Sequence, residues 1–232
     1  MNSQSTSPKI IFEDKHIIVL DKPAGLLSQG EITGDINLVD WLRNYLGRNY
    51  VGLIHRLDRN TSGIMVIAKR TKSAERLSRD LQEGNLFRSY LGWVEGQLGP
   101  IGQPIQWSHL LHKDEKKNVV RVVSPTSKMT SQKDVKPAIL TATPQRFGVW
   151  NSRSVTLVEF ILETGRSHQI RVQSAYEKHP LLGDPKYGLQ REINFPRPAL
   201  HSFRIALNHP MTHERLEFKA PLPEDFQLIT SK

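Results

Sequence analysis

The sequence predicts an α+β fold: a large mixed, mainly antiparallel sheet flanked by helices and loops. Three observations predict it. Short stretches rich in β-branched and aromatic residues recur along the 232 residues, whereas helical periodicity of apolar side chains occurs in three places only. Those helices fall between strands without the regular alternation that a parallel α/β sheet needs. The 38% of hydrophobic and 24% of charged residues are globular proportions, in a chain long enough to bury a core.

The elements follow in order. "KIIFEDKHIIVLDKP" reads as two short strands around a charged turn, closed by Pro23. "NLVDWLRNYLG" reads as a helix capped by Asn37 and ended by Gly47, with Leu38, Trp41, Leu42, Tyr45 and Leu46 on one stripe. "GIMVIAKR" is a nearly continuous apolar run, hence a buried strand. "TKSAERLSRDLQEG" is a helix from a Thr71 cap to Gly84, with Ala74, Leu77 and Leu81 inward. "LFRSYLGWVEG" and "SVTLVEFILE" read as strands, and "SHQIRVQSAYEKH" as a helix from a Ser167 cap, stopped before Pro180. "ALHSFRIAL" and "ERLEFKA" are late strands. The stretch 100–137, with "HKDEKKNVVR" and "SPTSKMTSQKDVKP", is the least regular and reads as a protruding hairpin or long loop.

Composition narrows the class. The absence of cysteine excludes a disulfide-stapled fold and any thiolate metal site. No apolar run reaches the length of a membrane span, and "MNSQSTSPK" lacks the apolar core of a signal peptide, so a cytoplasmic protein with a disordered tail over residues 1–9 is expected. The net charge of +9, from 32 basic and 23 acidic residues, is spread through folded segments and makes nucleic acid the first candidate partner.

Neither phosphate-cradling nucleotide motif occurs, nor does the G-x-S-x-G nucleophile elbow. His109/His112 and His209/His213 have no H-E-x-x-H pattern, so they read as surface or core histidines rather than as metal ligands. Two stretches stand out. "GLIHRLDRNTSG" sets one carboxylate, Asp58, between Arg56 and Arg59 ahead of a Thr-Ser-Gly turn. "ETGRSHQIRVQ" puts Arg166 at a strand-to-helix junction, where two rigid elements can aim it. Taken singly, the first is equally a surface loop with loosely paired charges, and the second a common turn.

Together, "IHRLDRNTSG" and "TGRSHQIRV" resemble the pseudouridine synthases of the RluA family. "DKHIIVLDKPAGLLS", "FRSYLGWVEG", "HPLLGDPKYG", "LHSFRI" and "FKAPLP" match further blocks of that family in the same order, over roughly residues 11 to 223. Gln173 stands where the family usually has His, Ser167 where Thr is commoner, and Arg88-Ser89 where a pair beginning with Lys is usual. The resemblance implies one catalytic domain over 10–232, with 100–137 as an insertion, an active site in a basic cleft, and no room for an N-terminal S4-like domain.

It also implies the reaction, isomerisation of uridine to pseudouridine in transfer or ribosomal RNA, with a slight leaning to transfer RNA and without cofactor; a monomer is the default expectation. Asp58 is then the catalytic carboxylate; it attacks C1′, adds to the uracil ring, or assists elimination on the sugar. Tyr90 stacks on the uracil or removes the C5 proton, and Arg166 balances the charge of Asp58. Arg56 fills the space that a flipped base vacates. His55, Arg171, Lys113, Lys116, Lys117 and Arg121 complete the expected RNA contacts. Two other functions compete: a catalytically inactive RNA-binding module of the same fold, and a glycosidase releasing free base.

Overall fold

The computed structural model describes residues 7–30, 34–124, 126–127, 134–188 and 194–231. The expected disordered tail, 1–9, lies mostly outside them, and Lys9 already belongs to the first strand. In chain order the elements are β1 (Lys9–Glu13), β2 (Ile17–Lys22), α1 (Leu38–Leu46), β3 (Gly52–Leu53), β4 (Ser62–Ala68), α2 (Thr71–Gln82), β5 (Phe87–Glu95) and β6 (Ile105–Asp114). They continue as β7 (Val119–Val123), β8 (Val135–Trp150), β9 (Arg153–Leu162), α3 (Gln169–Tyr176), β10 (Leu200–Asn208), β11 (Arg215–Lys219), α4 (Glu224–Gln227) and β12 (Thr230–Ser231). The chain folds into two compact units, Met1–Ser89 with His201–Pro223, and Tyr90–Leu200 with Glu224–Lys232.

In the first unit the strand order is β1-β2-β4-β10, with β3 on β4 and β11 on β10. Ile17–Leu20 of β2 and Ile64–Ala68 of β4 are fully buried, which explains their continuous apolar runs. Asn37 caps α1 by accepting from the Asp40 N–H, and Gly47 ends it in the left-handed region at φ 60°. Of the stripe on α1, Leu38 and Leu42 are buried, while Tyr45 is half exposed and stacks on Trp41. Leu77 of α2, flanked by Ala74 and Leu81, packs on the core formed by β2 and β4. The cap of α2 is Arg70 rather than Thr71, which takes the first helical position.

One contact in this unit depends on glycine. β4 and β10 run parallel, with Ser62 opposite His201 and Gly63 opposite Ser202. Gly63 has φ 112°, and a Cβ there would stand 2.6 Å from the Ser202 backbone nitrogen. Ser202 Oγ donates to the Ile64 carbonyl and Ser62 Oγ bonds His201 Nδ1, so the buried approach is locked on both sides.

In the second unit β5 (from Tyr90 on), β9, β8, β6 and β7 are neighbours in that order, with β12 on β8. β8 and β9 form a long antiparallel hairpin closed by Asn151-Ser152, both at positive φ, as a two-residue turn requires. The 100–137 stretch is more regular than its composition suggests: β6 and β7 form an antiparallel hairpin from Leu110↔Val123 to Asp114↔Val119. Residues 125 and 128–133 of it lie outside the described residues. α3 begins at Gln169 after His168, which takes φ 52°; Ser167 is not its cap.

Candidate active site

The Asp58 loop is built from backbone anchors. Arg56 is exposed, Leu57 is buried and Asp58 is half buried. Ser28, itself buried, holds Leu57 twice: its Oγ donates to the Leu57 carbonyl at 2.7 Å and accepts from the Leu57 N–H at 3.1 Å. On the other side of Asp58, the Arg59 carbonyl accepts from the Gly25 N–H at 2.8 Å and from Lys22 Nζ at 3.1 Å. Lys22 is fully buried and also donates to the Pro23 and Leu26 carbonyls. The Thr61 N–H donates to the Asp58 carbonyl and turns the chain into β4. Thus the segment "DKPAGLLS" grips the residues on either side of the carboxylate and fixes where it points. Arg56 makes no hydrogen bond or ion pair with any described residue and is left available to a ligand.

His55 lies inside this unit rather than on its surface, with 7% exposed. Its Nε2 accepts from the Val66 N–H of β4. Burial first, and the charge of Arg88 second, push its pKa from 6.5 down to about 3. The unfolded chain protonates this imidazole below 6.5 and the folded one does not. Stability is therefore complete above pH 6.5 and falls as pH drops towards 3, by up to ~1.4 kcal/mol per pH unit for one proton. Urea unfolding between pH 7 and 4 should show this slope, and His55→Gln should lose it; an unchanged slope would assign the proton to another group.

The second unit carries the other expected residues. Tyr90 sits on β5 with 5% exposed. Arg166 is exposed between β9 and α3, and its Nε donates to the Pro137 carbonyl at 2.9 Å. Gln169 builds that junction: its Oε1 accepts from the Arg166 N–H and from Thr164 Oγ1, and its Nε2 donates to the Ile139 carbonyl. Nothing in the sequence alone separates this glutamine from its polar neighbours.

Arg171, expected at the RNA, is instead buried and forms a two-pronged ion pair with Asp184 at 2.7 and 2.9 Å. Burial alone would raise the Asp184 carboxyl, but the hydrogen bonds and charge of Arg171, with the Lys186 and Tyr187 N–H donors, hold it below the ordinary range. Tyr187 lies under the Arg171 guanidinium, bonds His168 Nδ1 at 2.7 Å and accepts from the Val120 N–H of β7. Lys186 Nζ caps the Asn118 carbonyl. This cluster, from "GDPKYG", seats the β6–β7 hairpin on α3. Lys116, Lys117 and Arg121 are exposed on that hairpin, and Lys113 pairs with Glu115 at 2.7 Å. Among the described residues no group of three or more His, Asp or Glu is placed to hold a metal ion, and no helix is long and apolar enough to cross a membrane.

Residues 16–176 match the RNA pseudouridylate synthase family, and the chain belongs to it. A Bacillus subtilis protein described as an uncharacterized RNA pseudouridine synthase, YlyB, is 36% identical over 229 residues, 93% of this chain and 69% of that one. Ribosomal large subunit pseudouridine synthase D of Vibrio parahaemolyticus is 34% identical over 95% of this chain and 69% of its own length; that of Nitrosomonas europaea is 35% identical over 95% and 64%. The chain thus spans about two thirds of the length of these relatives. In fold it is similar to human RNA pseudouridylate synthase domain containing 1, with a TM-score of 0.81 at 22% identity over 100% of this chain and 92% of that one. The chain is an RNA pseudouridine synthase of the RluA type, an isomerase.

Proposed function

We propose that the chain isomerises a uridine in large-subunit ribosomal RNA, with Asp58 as the catalytic carboxylate. The observation that carries this reading is the Asp58 loop. A half-buried carboxylate is held by backbone anchors at Leu57 and Arg59, and an unengaged, exposed arginine stands two residues before it. That arrangement suits a substrate whose reacting nucleotide must leave its stack: Arg56 occupies the vacated space while Asp58 meets the sugar or the base. The ribosomal assignment is supported by the relatives that carry that substrate in their names, and it replaces the leaning to transfer RNA.

Breaking the N1–C1′ bond builds positive charge at C1′, which an ionised carboxylate offsets or captures. The uracil then turns, C5 bonds to C1′, the C5 proton leaves and N1 gains one, so mass is unchanged. Tyr90 stacks on the uracil or takes the C5 proton, and Arg166 balances the Asp58 charge; both assignments rest on the family motifs. The β6–β7 tip, with Lys113, Lys116, Lys117 and Arg121, follows the RNA backbone. The chain works as a monomer in the cytoplasm, residues 10–232 acting as one catalytic domain.

Mapping pseudouridine in RNA from cells with and without the protein tests this. One or a few large-subunit uridines should lose the modification in its absence. Loss confined to transfer RNA would overturn the ribosomal assignment, and no loss at any uridine would favour the inactive RNA-binding module.

A further inference from the structure

Four basic side chains are buried deeply in the described residues, and three have protein partners. Lys22 donates to three backbone carbonyls, Arg171 pairs with Asp184, and Arg197 pairs with Asp225 at 2.6 and 3.0 Å. Arg88 is the exception. It is 7% exposed, its Nε is sealed from solvent, and its guanidinium has no acceptor among the described residues. A buried guanidinium without an anion costs several kcal/mol, so a protein that keeps one has a use for the unpaired charge.

Among the described residues no anion is recorded against it. The titratable group that Arg88 faces in its own unit is His55, which is neutral. Because Nε2 of that ring accepts from the Val66 N–H, its proton is on Nδ1, a second buried donor without a partner. Two unmet donors therefore await an acceptor. Side chains alternate along a strand, so Arg88 and Tyr90, two positions apart on β5, share a face.

We propose that Arg88 is a further catalytic residue, a preplaced cation that stabilises the negative charge the uracil ring acquires during isomerisation. The inference rests on the function proposed above and holds for either route at Asp58. If the N1–C1′ bond breaks heterolytically, its electron pair stays on the uracil and spreads over N1, O2 and O4. If the carboxylate adds to the ring, the displaced pair also reaches a ring carbonyl oxygen. The charge is discharged when C5 bonds to C1′, C5 loses its proton and N1 gains one. A fixed, largely buried cation serves that charge with little reorganisation. Depth selects the base over the backbone: an extruded uracil enters the protein, whereas phosphates stay at its surface.

The test compares wild type, Arg88→Met, Arg88→Lys and Asp58→Asn on one RNA containing the mapped uridine. Arg88→Met should lower kcat by roughly 10²–10³-fold, the scale of losing one transition-state charge stabiliser, with KM nearly unchanged. It should also raise Tm, because an unpaired buried charge is gone. Arg88→Lys should keep at least about a tenth of kcat by the same argument. With 5-fluorouridine at the target, whose fluorine helps to carry the negative charge, the Met deficit in the bond-breaking step should shrink. A raised KM together with a salt dependence flattened by ~0.7–0.9 would make Arg88 a phosphate contact and overturn the inference. So would a Met variant of lowered Tm whose folded fraction turns over normally, or a Lys variant as inactive as Asp58→Asn. If wild type itself forms no pseudouridine in any RNA, the function reading fails, and this inference with it.

Discussion

Asp58→Asn is expected to abolish pseudouridine formation and leave the fold intact. The loop is fixed through the backbone of Leu57 and Arg59, to Ser28, Gly25 and Lys22, and the Thr61 N–H reaches the Asp58 carbonyl rather than its carboxylate. None of these contacts involves the atoms that the substitution changes. Binding to RNA should also persist, because losing one acid makes the +9 chain more basic. The chemistry should fall by roughly three orders of magnitude or more, the scale of losing a nucleophile, since a neutral amide neither attacks carbon nor offsets positive charge. Far-UV circular dichroism, Tm and RNA affinity should match wild type while product stays below detection. A variant that turns over at near wild-type rate would assign the reaction to another residue.

Gly63→Ala has the opposite profile: it should damage the fold and leave the chemical groups untouched. The added methyl would meet the Ser202 backbone, which cannot move without breaking the β4–β10 pairing, and φ 112° is itself unfavourable for alanine. Steric overlap and backbone strain together should cost about 3 kcal/mol or more, lowering Tm by roughly 10 °C. Gly84→Ala is the control. It also has positive φ, but open space surrounds its Cβ, so only the backbone cost of ~1 kcal/mol remains. If the two variants melt alike, crowding at Ser202 is not what requires glycine at 63.

Much of the fold is legible in the sequence because local signals agree with it. The runs of β2 and β4, the Asn37 and Gly47 boundaries of α1, and the inward face of α2 each follow from periodicity and capping. β8 is harder to see. Its inward positions from 138 to 144 are Ala138, Leu140, Ala142 and Pro144, a weak apolar alternation, and its two prolines and the irregularity after Pro144 argue against a strand. Among the candidate site residues, Asp58 and Arg56 in the first unit and Arg166 in the second are legible through motifs. Lys22, Ser28 and Gln169 are not, because what they hold is backbone, and a carbonyl far along the chain leaves no mark on composition. Arg171 reads as a surface cation until Asp184 is seen beside it, and Arg88 reads only as a departure from the family's usual pair.

The β4–β10 pairing also sets a timetable for synthesis. His201 and Ser62 are separated by 139 positions, yet the first unit places them in adjacent strands. A ribosome needs on the order of 10 s to supply that much chain. Until then β4 has an open edge where β10 will lie, and its apolar residues wait without their final cover. The loop bearing Asp58 runs directly into that edge strand. Asp58 therefore reaches its final setting only after the segment that carries His201 has been made.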